Sequence, residues 1–342
     1  MVWGTDRPTL LILSVASKVY GTAATWRRRW YAGHPSRRRR LERPVISVGN
    51  LSTGGSGKTP IVAHIAALLA AHGERPAILS RGYGRTAPTA GVTIVSDGTG
   101  MLAPLDNAGD EPLMLARALP NVPVLVCADR YEAGRLAERA LGVTVHVLDD
   151  GFQHLGLHRD VDLLIAAGHD LGDQVLPAGR LREPLAAAAS ADALLVDMAG
   201  SAGGHLAKTL GVRTVFRVDR TIGAPRWMNS GEAASIGPTD KILAVAGIAR
   251  PDRFFADLET ANSKPHATLV FRDHHPYTDA DIDRITRTAR AAGATIVLTT
   301  EKDAVRLSAR PLGDLRVASV SLTASVEPSF AGWLLARLEQ CH

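Results

Sequence analysis

Cysteine is scarce in this chain, which has two cysteines, Cys127 and Cys341, among its 342 residues. The sequence contains no C-x-x-C pair or similar cluster of the kind that binds structural zinc. Cys127 ends the apolar run Val122–Val126, a position that favours a buried thiol over a disulfide. The sequence therefore indicates a protein of a reducing, cytoplasmic compartment.

The chain also lacks a basic surplus outside its first 43 residues. Residues 1–43 contain ten basic and two acidic residues, a net charge of +8, whereas the whole chain carries +5, so residues 44–342 carry −3. A nucleic-acid-binding surface that covers the body of the protein is therefore not expected. A basic arm that binds nucleic acid remains an alternative for residues 1–43, and it predicts salt-sensitive DNA binding without lipid preference.

Residues 1–43 combine apolar, aromatic and basic segments in that order. Leu10–Ser17 and Val19–Ala24 flank a single lysine, and Trp26, Trp30 and Tyr31 follow among arginines. This order is typical of a membrane-interface element that faces anionic headgroups. The apolar stretch is short for a bilayer span, which needs about 20 apolar residues, and a cleaved signal is disfavoured because the charges follow the apolar stretch. We expect a membrane-associating helix, either interfacial or spanning once; a core-packed helix with a solvated basic tail is the alternative.

A strand, a Gly-rich loop and a helix N-terminus follow this arm. The apolar run Pro44–Val48 precedes the loop, and Ile61–Leu69 has helical spacing. Glycines let the backbone wrap an anion, and the first N–H groups of the helix point at it. The pattern predicts a P-loop that binds a nucleoside triphosphate, with Lys58 at the β- and γ-phosphates and Thr59 on Mg²⁺. The predicted nucleotide-binding residues are Ser52, Thr53, Gly54, Gly55, Ser56, Gly57, Lys58 and Thr59, with Ser52 in place of the first glycine of the strict pattern.

Two acidic residues, Asp149 and Asp150, follow the apolar run Val143–Leu148. An apolar strand that ends in a carboxylate is what a P-loop enzyme needs beside the Mg²⁺ held by Thr59. The neighbouring Gln153 and His154 indicate a polar site that extends toward an acceptor.

Further polar clusters fall at strand ends or in loops, where α/β proteins build their sites. Asp110 could cap the helix that follows it, and Arg130 could hold a substrate phosphate. Two adjacent histidines, His274 and His275, point in different directions, so that a metal held by both is not expected. The clusters are Ser80–Arg85, Gly109–Pro112, Ala128–Arg130 and Phe271–Pro276, with Ser47, Arg180–Pro184 and Thr300–Asp303 as weaker candidates.

Strands and helices alternate along the chain in the manner of a doubly wound α/β fold. We predict a P-loop core with a mostly parallel sheet flanked by helices (44–212), a smaller α/β domain (213–325), a C-terminal helix that can pack on the core (326–342) and the N-terminal helix and basic arm (1–43). The predicted strands are Val45–Val48, Pro76–Leu79, Val122–Cys127, Val143–Leu148, Val161–Ala166, Ala193–Asp197, Lys241–Ala246, Thr268–Phe271 and Thr295–Thr299.

In their order along nearly the whole chain, these motifs resemble those of the tetraacyldisaccharide 4'-kinase family, the lipid A 4'-kinases. Serine at the first P-loop position is usual in that family. The matching segments are Val48–Leu51, Gly54–Pro60, Leu79–Gly84, Gly109–Pro112, Asp149–His154, Pro177–Pro184, Ala246–Ile248, Asp273–His274 and Thr300–Val305.

The resemblance implies ATP-dependent phosphorylation of the 4'-hydroxyl of a tetraacylated glucosamine disaccharide 1-phosphate, which gives lipid IVA. It implies ATP and Mg²⁺ as cofactors, and attachment to the cytoplasmic face of the inner membrane through the N-terminal helix. A lipid-linked acceptor cannot diffuse freely in water, and the basic arm suits an acceptor that already carries phosphate. We expect a monomer and no nucleic-acid partner.

The resemblance also implies roles for single residues. Asp110 is the implied general base on the sugar hydroxyl, and His274 pairs with it and tunes its basicity; His275 has no implied role. Lys58 and Asp150 are the other implied catalytic residues, and Thr59 and Asp149 are the implied ligands of Mg²⁺. The residues implied around the acceptor are Glu111, Arg130, His154 and Glu183.

Other classes of protein make different demands on these residues. A regulatory GTPase would carry an Asn-Lys-x-Asp-like signature, which is absent; Thr300–Asp303 echoes it only superficially. Another P-loop kinase would prefer a different acceptor. A nucleotide-gated binding module would need no chemistry at Asp110, Asp149 or Asp150, so that replacing them would leave its function intact.

Overall fold

The structure is a computed structural model that describes residues 7–54, 57–197, 203–237, 239–308 and 310–341. The predicted P-loop residues Gly55 and Ser56 lie outside the described residues. The described helices are α1 Arg7–Gly33, α2 Lys58–Ala71, α3 Leu105–Ala108, α4 Asp110–Ala118, α5 Arg130–Leu141, α6 Gly203–Leu210, α7 Pro251–Thr260, α8 Asp279–Ala291, α9 Glu301–Leu307 and α10 Ser329–Glu339.

The described strands form two sheets. In chain order they are β1 Val45–Asn50, β2 Pro76–Ser80, β3 Thr93–Ser96, β4 Val124–Val126, β5 Val145–Asp149, β6 Val161–Ala166, β7 Ala193–Asp197, β8 Val215–Ile222, β9 Arg226–Trp227, β10 Ile242–Ala246, β11 Ala267–Val270, β12 Ile296–Thr300, β13 Val317–Val320 and β14 Leu322–Val326.

The larger sheet has nine strands in the order β14-β8-β7-β6-β1-β5-β2-β4-β3. Its strands run parallel except at the two edges, where β3 pairs antiparallel with β4 and β14 with β8. The inner strands are apolar runs buried on both faces, since helices cover both sides of a parallel sheet. Strand β1 lies between β5 and β6, and its register pairs Val48 with Asp149. The start of the P-loop and the two acids at the end of β5 therefore meet at the carboxyl ends of these central strands.

The smaller sheet has the order β11-β10-β12-β13-β9 and is parallel except for β9. The chain leaves the larger sheet after β8, builds the smaller sheet, and returns in β14, where Leu322 pairs with Ile222. Two neighbouring strands thus carry both connections between the sheets. The C-terminal helix α10 packs on the larger sheet through the fully buried Phe330 and Leu334.

Helix α1 packs with one face against the body of the protein. Ser17 Oγ donates to the carbonyl of Val175, and Arg28 forms an ion pair with the buried Glu183. Large apolar side chains of α1 are exposed, among them Ile12, Val15, Val19 and Trp26, beside basic ones such as Arg27 and Arg29. None of the described helices combines the length and apolar character needed to cross a bilayer.

The predicted fold class is confirmed: the larger sheet is mostly parallel and flanked by helices, and a smaller α/β sheet follows it. The division of the chain into domains stays a prediction. Strands β3, β8, β9, β13 and β14 were not predicted. Strand β8 alternates between buried and exposed residues, as edge-proximal strands do, and so lacks the continuous apolar run that marks β1 or β6.

Candidate active site

The Gly-rich loop leads directly from β1 into the N-terminus of α2. Gly57 has a φ of 71°, in the left-handed region that glycine adopts at no steric cost. A Cβ at this position would lie 2.6 Å from the guanidinium carbon of Arg220, a side-chain end that can move aside, so that the backbone conformation is the main reason for glycine here. Lys58 and Thr59 then form the first turn of α2, where helix N–H groups face an anion.

The segment 180–182 holds the start of this loop. The Thr53 amide donates to the carbonyl of Arg180 (2.7 Å), and the Arg182 amide donates to the carbonyl of Leu51 (2.6 Å). Ser52 forms an isolated bridge with Leu181. The cluster Arg180–Pro184, a weak candidate in the sequence, thus fixes the entry to the P-loop.

Lys58 points toward the ends of β1 and β5. Its Nζ donates to Asn50 Oδ1 (3.0 Å) and lies 3.6 Å from Asp150 Oδ1. Arg182 grips Asp150 with two nitrogens, at 2.8 and 2.9 Å. Burial raises the pKa of Asp150, but Lys58 and Arg182 outweigh it, so that the pKa lies below its usual value. Asp150 is therefore an ionised carboxylate between two cations.

The surroundings of Asp149 raise its pKa, whereas those of Asp150 lower it. It is 3% exposed; Ser80 Oγ donates to its Oδ2 (3.1 Å), while its Oδ1 is buried without a hydrogen-bond partner among the described residues. Burial and the nearby carboxylates of Glu111 and Asp150 raise its pKa to about 7. An unpaired carboxylate oxygen among like charges, beside the Thr59 turn, fits a hard divalent cation such as Mg²⁺.

Asp110 is the first residue of α4 and is 5% exposed. Its Oδ2 faces three basic side chains from the loop after β11 and from α9: His274 Nδ1 lies at 3.0 Å, Arg306 Nε at 3.6 Å and Lys302 Nζ at 3.9 Å. Burial raises the pKa of Asp110, and His274, Lys302 and Arg306 together lower it below its usual value. The structure thus brings the predicted pair Asp110 and His274 together, although 164 positions separate them in the sequence.

His274 is held in an unusual backbone conformation. Among the described residues, three non-glycine residues have a positive φ, and two of them are Asp150 (57°) and His274 (54°). Asp273 Oδ1 accepts the His274 amide (3.0 Å), and the Tyr83 ring packs edge-on against the imidazole with centroids 5.4 Å apart. Strained conformations of this kind cost energy and cluster at functional sites.

Arg130, which is buried near Asp149 and Asp150, lies close to the half-buried His154. Burial and Arg130 lower the pKa of His154 to about 4. Burial and then Arg81 lower the pKa of Arg130, which Asp150 and Asp149 partly offset. Arg130 Nε and His154 Nε2 have no hydrogen-bond partner among the described residues. The pair is thus a candidate contact for an anionic or polar acceptor group.

Glu183 and Glu111 lie in different places. Both Glu183 oxygens accept from Arg28, at 2.5 and 3.0 Å, so that this carboxylate ties α1 to the P-loop segment. Glu111 is close enough to Asp149 to raise its pKa, and its Oε1 accepts from Lys302 Nζ (3.0 Å). Glu111 therefore joins the Asp110 cluster to Asp149, whereas the Glu183 carboxylate is engaged by Arg28.

Comparisons with known proteins show which family the chain belongs to. The sequence model of the family described as tetraacyldisaccharide-1-P 4'-kinase matches residues 9–339. The chain belongs to this family. A tetraacyldisaccharide 4'-kinase of Geobacter metallireducens is 42% identical over 307 residues, which cover 88% of this chain and 90% of that protein. One from Koribacter versatilis is 40% identical over 299 residues, 85% of this chain and 87% of that protein.

A solved member of the tetraacyldisaccharide 4'-kinase family has the same fold. The crystal structure of LpxK from Aquifex aeolicus in complex with ATP superposes with a TM-score of 0.76 at 31% identity. The match covers 96% of this chain and 99% of that one. The predicted membership of the family is confirmed.

The sequence analysis of this kinase missed four residues of the candidate site. Asn50 and Lys302 lay within the segments that carry the family resemblance, and Arg182 lay in a weak cluster, but nothing marked them individually. Arg306 follows Lys302 by one helical turn, and no sequence signal pointed to it. A search for cations one turn apart beside a strand end would have found the last two.

Proposed function

We propose that this chain transfers the γ-phosphoryl group of ATP to the 4'-hydroxyl of a tetraacylated glucosamine disaccharide 1-phosphate, which gives lipid IVA. The observation that carries the proposal is the meeting of the Lys58 turn, Asp149 and the Asp110–His274 pair, with Glu111 between them. In-line phosphoryl transfer needs such an arrangement: a phosphate clamp on one side and a hydroxyl acceptor site on the other.

On the nucleotide side, Lys58 and the first N–H groups of α2 bind the β- and γ-phosphates. Asn50 and Asp150 hold the Lys58 ammonium in place, and Arg182 holds both of them. Thr59 and Asp149 are the residues that would hold Mg²⁺, which when bound neutralises charge on the transferred phosphoryl group.

On the acceptor side, Asp110 orients the sugar hydroxyl and takes its proton. The lowered pKa of Asp110 keeps it ionised at neutral pH. A carboxylate of this kind is a weak base, which suits a loose transition state in which the hydroxyl proton leaves late. Glu111, Arg130 and His154 contact the acceptor in this proposal, and Glu183 acts through Arg28 on the position of α1.

The finer part of the proposal concerns the membrane. Helix α1 lies on the cytoplasmic face of the inner membrane, with Ile12, Val15, Val19 and Trp26 in the interface. The exposed Arg27 and Arg29 face anionic headgroups. The protein works as a monomer whose acceptor reaches the site from the bilayer.

Incubation with γ-labelled ATP, Mg²⁺ and the disaccharide 1-phosphate tests the proposal. We expect labelled product with the new phosphate at the 4' position by mass and NMR analysis, and none with Lys58→Ala. The exposed Lys264→Ala serves as the matched control and should keep full activity. Hydrolysis of ATP without transfer of the label to the disaccharide, or transfer of the label to another hydroxyl, would contradict the proposal.

A further inference from the structure

Lys302 lies where the two sheets meet. It is in the first turn of α9, and its side chain is 16% exposed. Its Nζ lies 3.0 Å from His274 Nε2, 3.0 Å from Glu111 Oε1 and 3.9 Å from Asp110 Oδ2. One ammonium group thus contacts both members of the candidate dyad and the acid beside it.

The contact with His274 determines where the imidazole proton lies. An ammonium group has three donors and no acceptor, so that its partner nitrogen must offer a lone pair. His274 Nε2 must therefore be unprotonated, and the neutral ring carries its proton on Nδ1. That nitrogen lies 3.0 Å from Asp110 Oδ2.

Lys302 stays charged in this position. Burial lowers its pKa, but the carboxylates of Glu111 and Asp110 outweigh burial and raise the pKa above its usual value. A neutral lysine could accept a proton from Nε2–H and would leave the tautomer open. The two acids exclude this alternative by keeping the ammonium protonated.

We propose that Lys302 is a positioning residue that holds His274 in the neutral Nδ1–H tautomer, with the protonated nitrogen 3.0 Å from Asp110 Oδ2. The inference rests on the proposed kinase site and adds the protonation state of its dyad. Asp110 thereby stays an unprotonated acceptor for the sugar hydroxyl. Through Glu111, the same ammonium ties this dyad to α4.

The charges around His274 show what the loss of Lys302 would do. The ring faces Asp110 from α4, the Tyr83 edge from the loop after β2, and Asp273 of its own loop, whose Oδ1 lies 3.9 Å from Nε2. Arg306 on α9 contacts Asp110 rather than the ring. Without Lys302, two carboxylates face the imidazole at its two nitrogens. The imidazolium form then becomes favourable, and a doubly protonated ring competes for the acceptor role of Asp110.

Nitrogen-15 NMR of ring-labelled histidine tests the tautomer directly. The His274 signals are assigned by difference from His274→Gln. At neutral pH, we expect a protonated Nδ1 and a bare Nε2 in the unchanged protein and in Lys302→Arg, which keeps the charge. In Lys302→Met, we expect Nε2 to become protonated. A protonated Nε2 in the unchanged protein would overturn the inference, whether or not the protein phosphorylates the lipid.

The pH profile of kcat/KM gives an independent readout. For Lys302→Met we expect a loss of about 10- to 100-fold at neutral pH, part of the roughly 10²- to 10⁴-fold that acid–base groups contribute. The acid limb should move to higher pH, and Lys302→Arg should restore most of the activity. Lys264→Met, at an exposed ion pair with Glu259, is the matched control.

The outcomes separate this inference from the proposed function. A uniform loss in Lys302→Met with an unchanged pH profile, in a protein that unfolds at the same temperature as its parent, would overturn the positioning role while the kinase proposal stands. If the unchanged protein fails to phosphorylate the disaccharide, the proposed function fails, and the NMR result still decides the tautomer.

Discussion

Asp149 and Asp110 are both buried carboxylates of one site, yet their pKa values shift in opposite directions. Burial raises the pKa of both carboxyl groups. The carboxylates of Glu111 and Asp150 raise the pKa of Asp149 further, to about 7, whereas the basic groups around Asp110 bring its pKa below the usual value. The nucleotide side of the site therefore has an acid that a bound cation would stabilise. On the acceptor side, cationic side chains already surround the acid. Those cations are Lys302 and Arg306, and the His274 ring beside them also lowers the pKa of Asp110.

The two sides also differ in how the chain builds them. The P-loop lies within ten residues, and Asp149 joins it through one strand pairing. The acceptor side combines helix α4 with a loop and a helix of the smaller sheet; Lys302 and Glu111 are 191 positions apart. Substitutions on the nucleotide side should abolish phosphate binding, whereas substitutions on the acceptor side should leave phosphate binding intact.

Replacement of the P-loop lysine should have the largest effect. Lys58→Ala removes the ammonium that stabilises charge on the transferred phosphoryl group, and we expect kcat to fall about 10³-fold. Steady-state transfer from ATP measures the loss. Lys264→Ala, an exposed lysine, should match the unchanged protein; equal activity of the two variants would contradict the role of Lys58.

Replacement of Asp110, the proposed base, should have the next largest effect. Asp110→Asn keeps the shape but removes the proton acceptor, and we expect kcat to fall roughly 10²- to 10³-fold. ATP binding, measured by calorimetry, should change little, because Asp110 lies on the acceptor side. Asp279→Asn, a highly exposed acid, is the control. A comparable loss of ATP affinity would show that the two sides are not separate.

A stability measurement sharpens the contrast at Asp149. Its folded pKa of about 7 exceeds the ordinary 3.8, so the metal-free folded state retains a proton that the unfolded state loses. The contribution of Asp149 to stability is therefore lost as the pH rises from about 4 to about 7. Asp149→Asn cannot ionise, so its melting temperature in chelator at pH 8 should exceed that of the unchanged protein by a few degrees.

At pH 4 to 5 this difference in melting temperature should shrink, because Asp149 is protonated in the folded state there. Differential scanning calorimetry at both pH values checks the expectation. Added Mg²⁺ at pH 8 should stabilise the unchanged protein more than Asp149→Asn. A melting-temperature difference that is the same at both pH values would refute the assigned surroundings of Asp149.

The smallest expected effect concerns α1. Trp26→Glu places a charge on its exposed apolar face, and we expect binding to anionic vesicles to weaken about tenfold. Flotation assays measure the bound fraction. Val270→Glu, an exposed apolar position on the smaller sheet, is the control and should bind like the unchanged protein. Equal weakening in both variants would argue against α1 as the contact surface.

The sequence allowed the nucleotide side to be predicted because its determinants are local. The continuous apolar run predicts β1, the glycine residues predict the loop, and the helical period predicts α2. None of these predictions depends on the rest of the chain. The pairing of β1 with β5, and hence the place of Asp149, follows from two such runs. The resemblance to the family supplied Asp110 and His274 as a pair, which spacing alone did not.

The remaining features depend on tertiary packing, and the sequence marked them only weakly or not at all. Lys302 and Arg306 look like ordinary surface cations of an amphipathic helix until α9 packs against α4. The antiparallel return of β14 beside β8 escaped detection because both strands are partly exposed and mix polar with apolar residues.

A double-mutant cycle on the dyad tests the central claim most directly. Asp110→Asn, His274→Gln and the double variant are compared in the kcat of phosphate transfer to the disaccharide. If the pair acts as one unit across the two sheets, the double variant should lose no more activity than the more damaging single variant. Losses that multiply in the double variant would contradict the account.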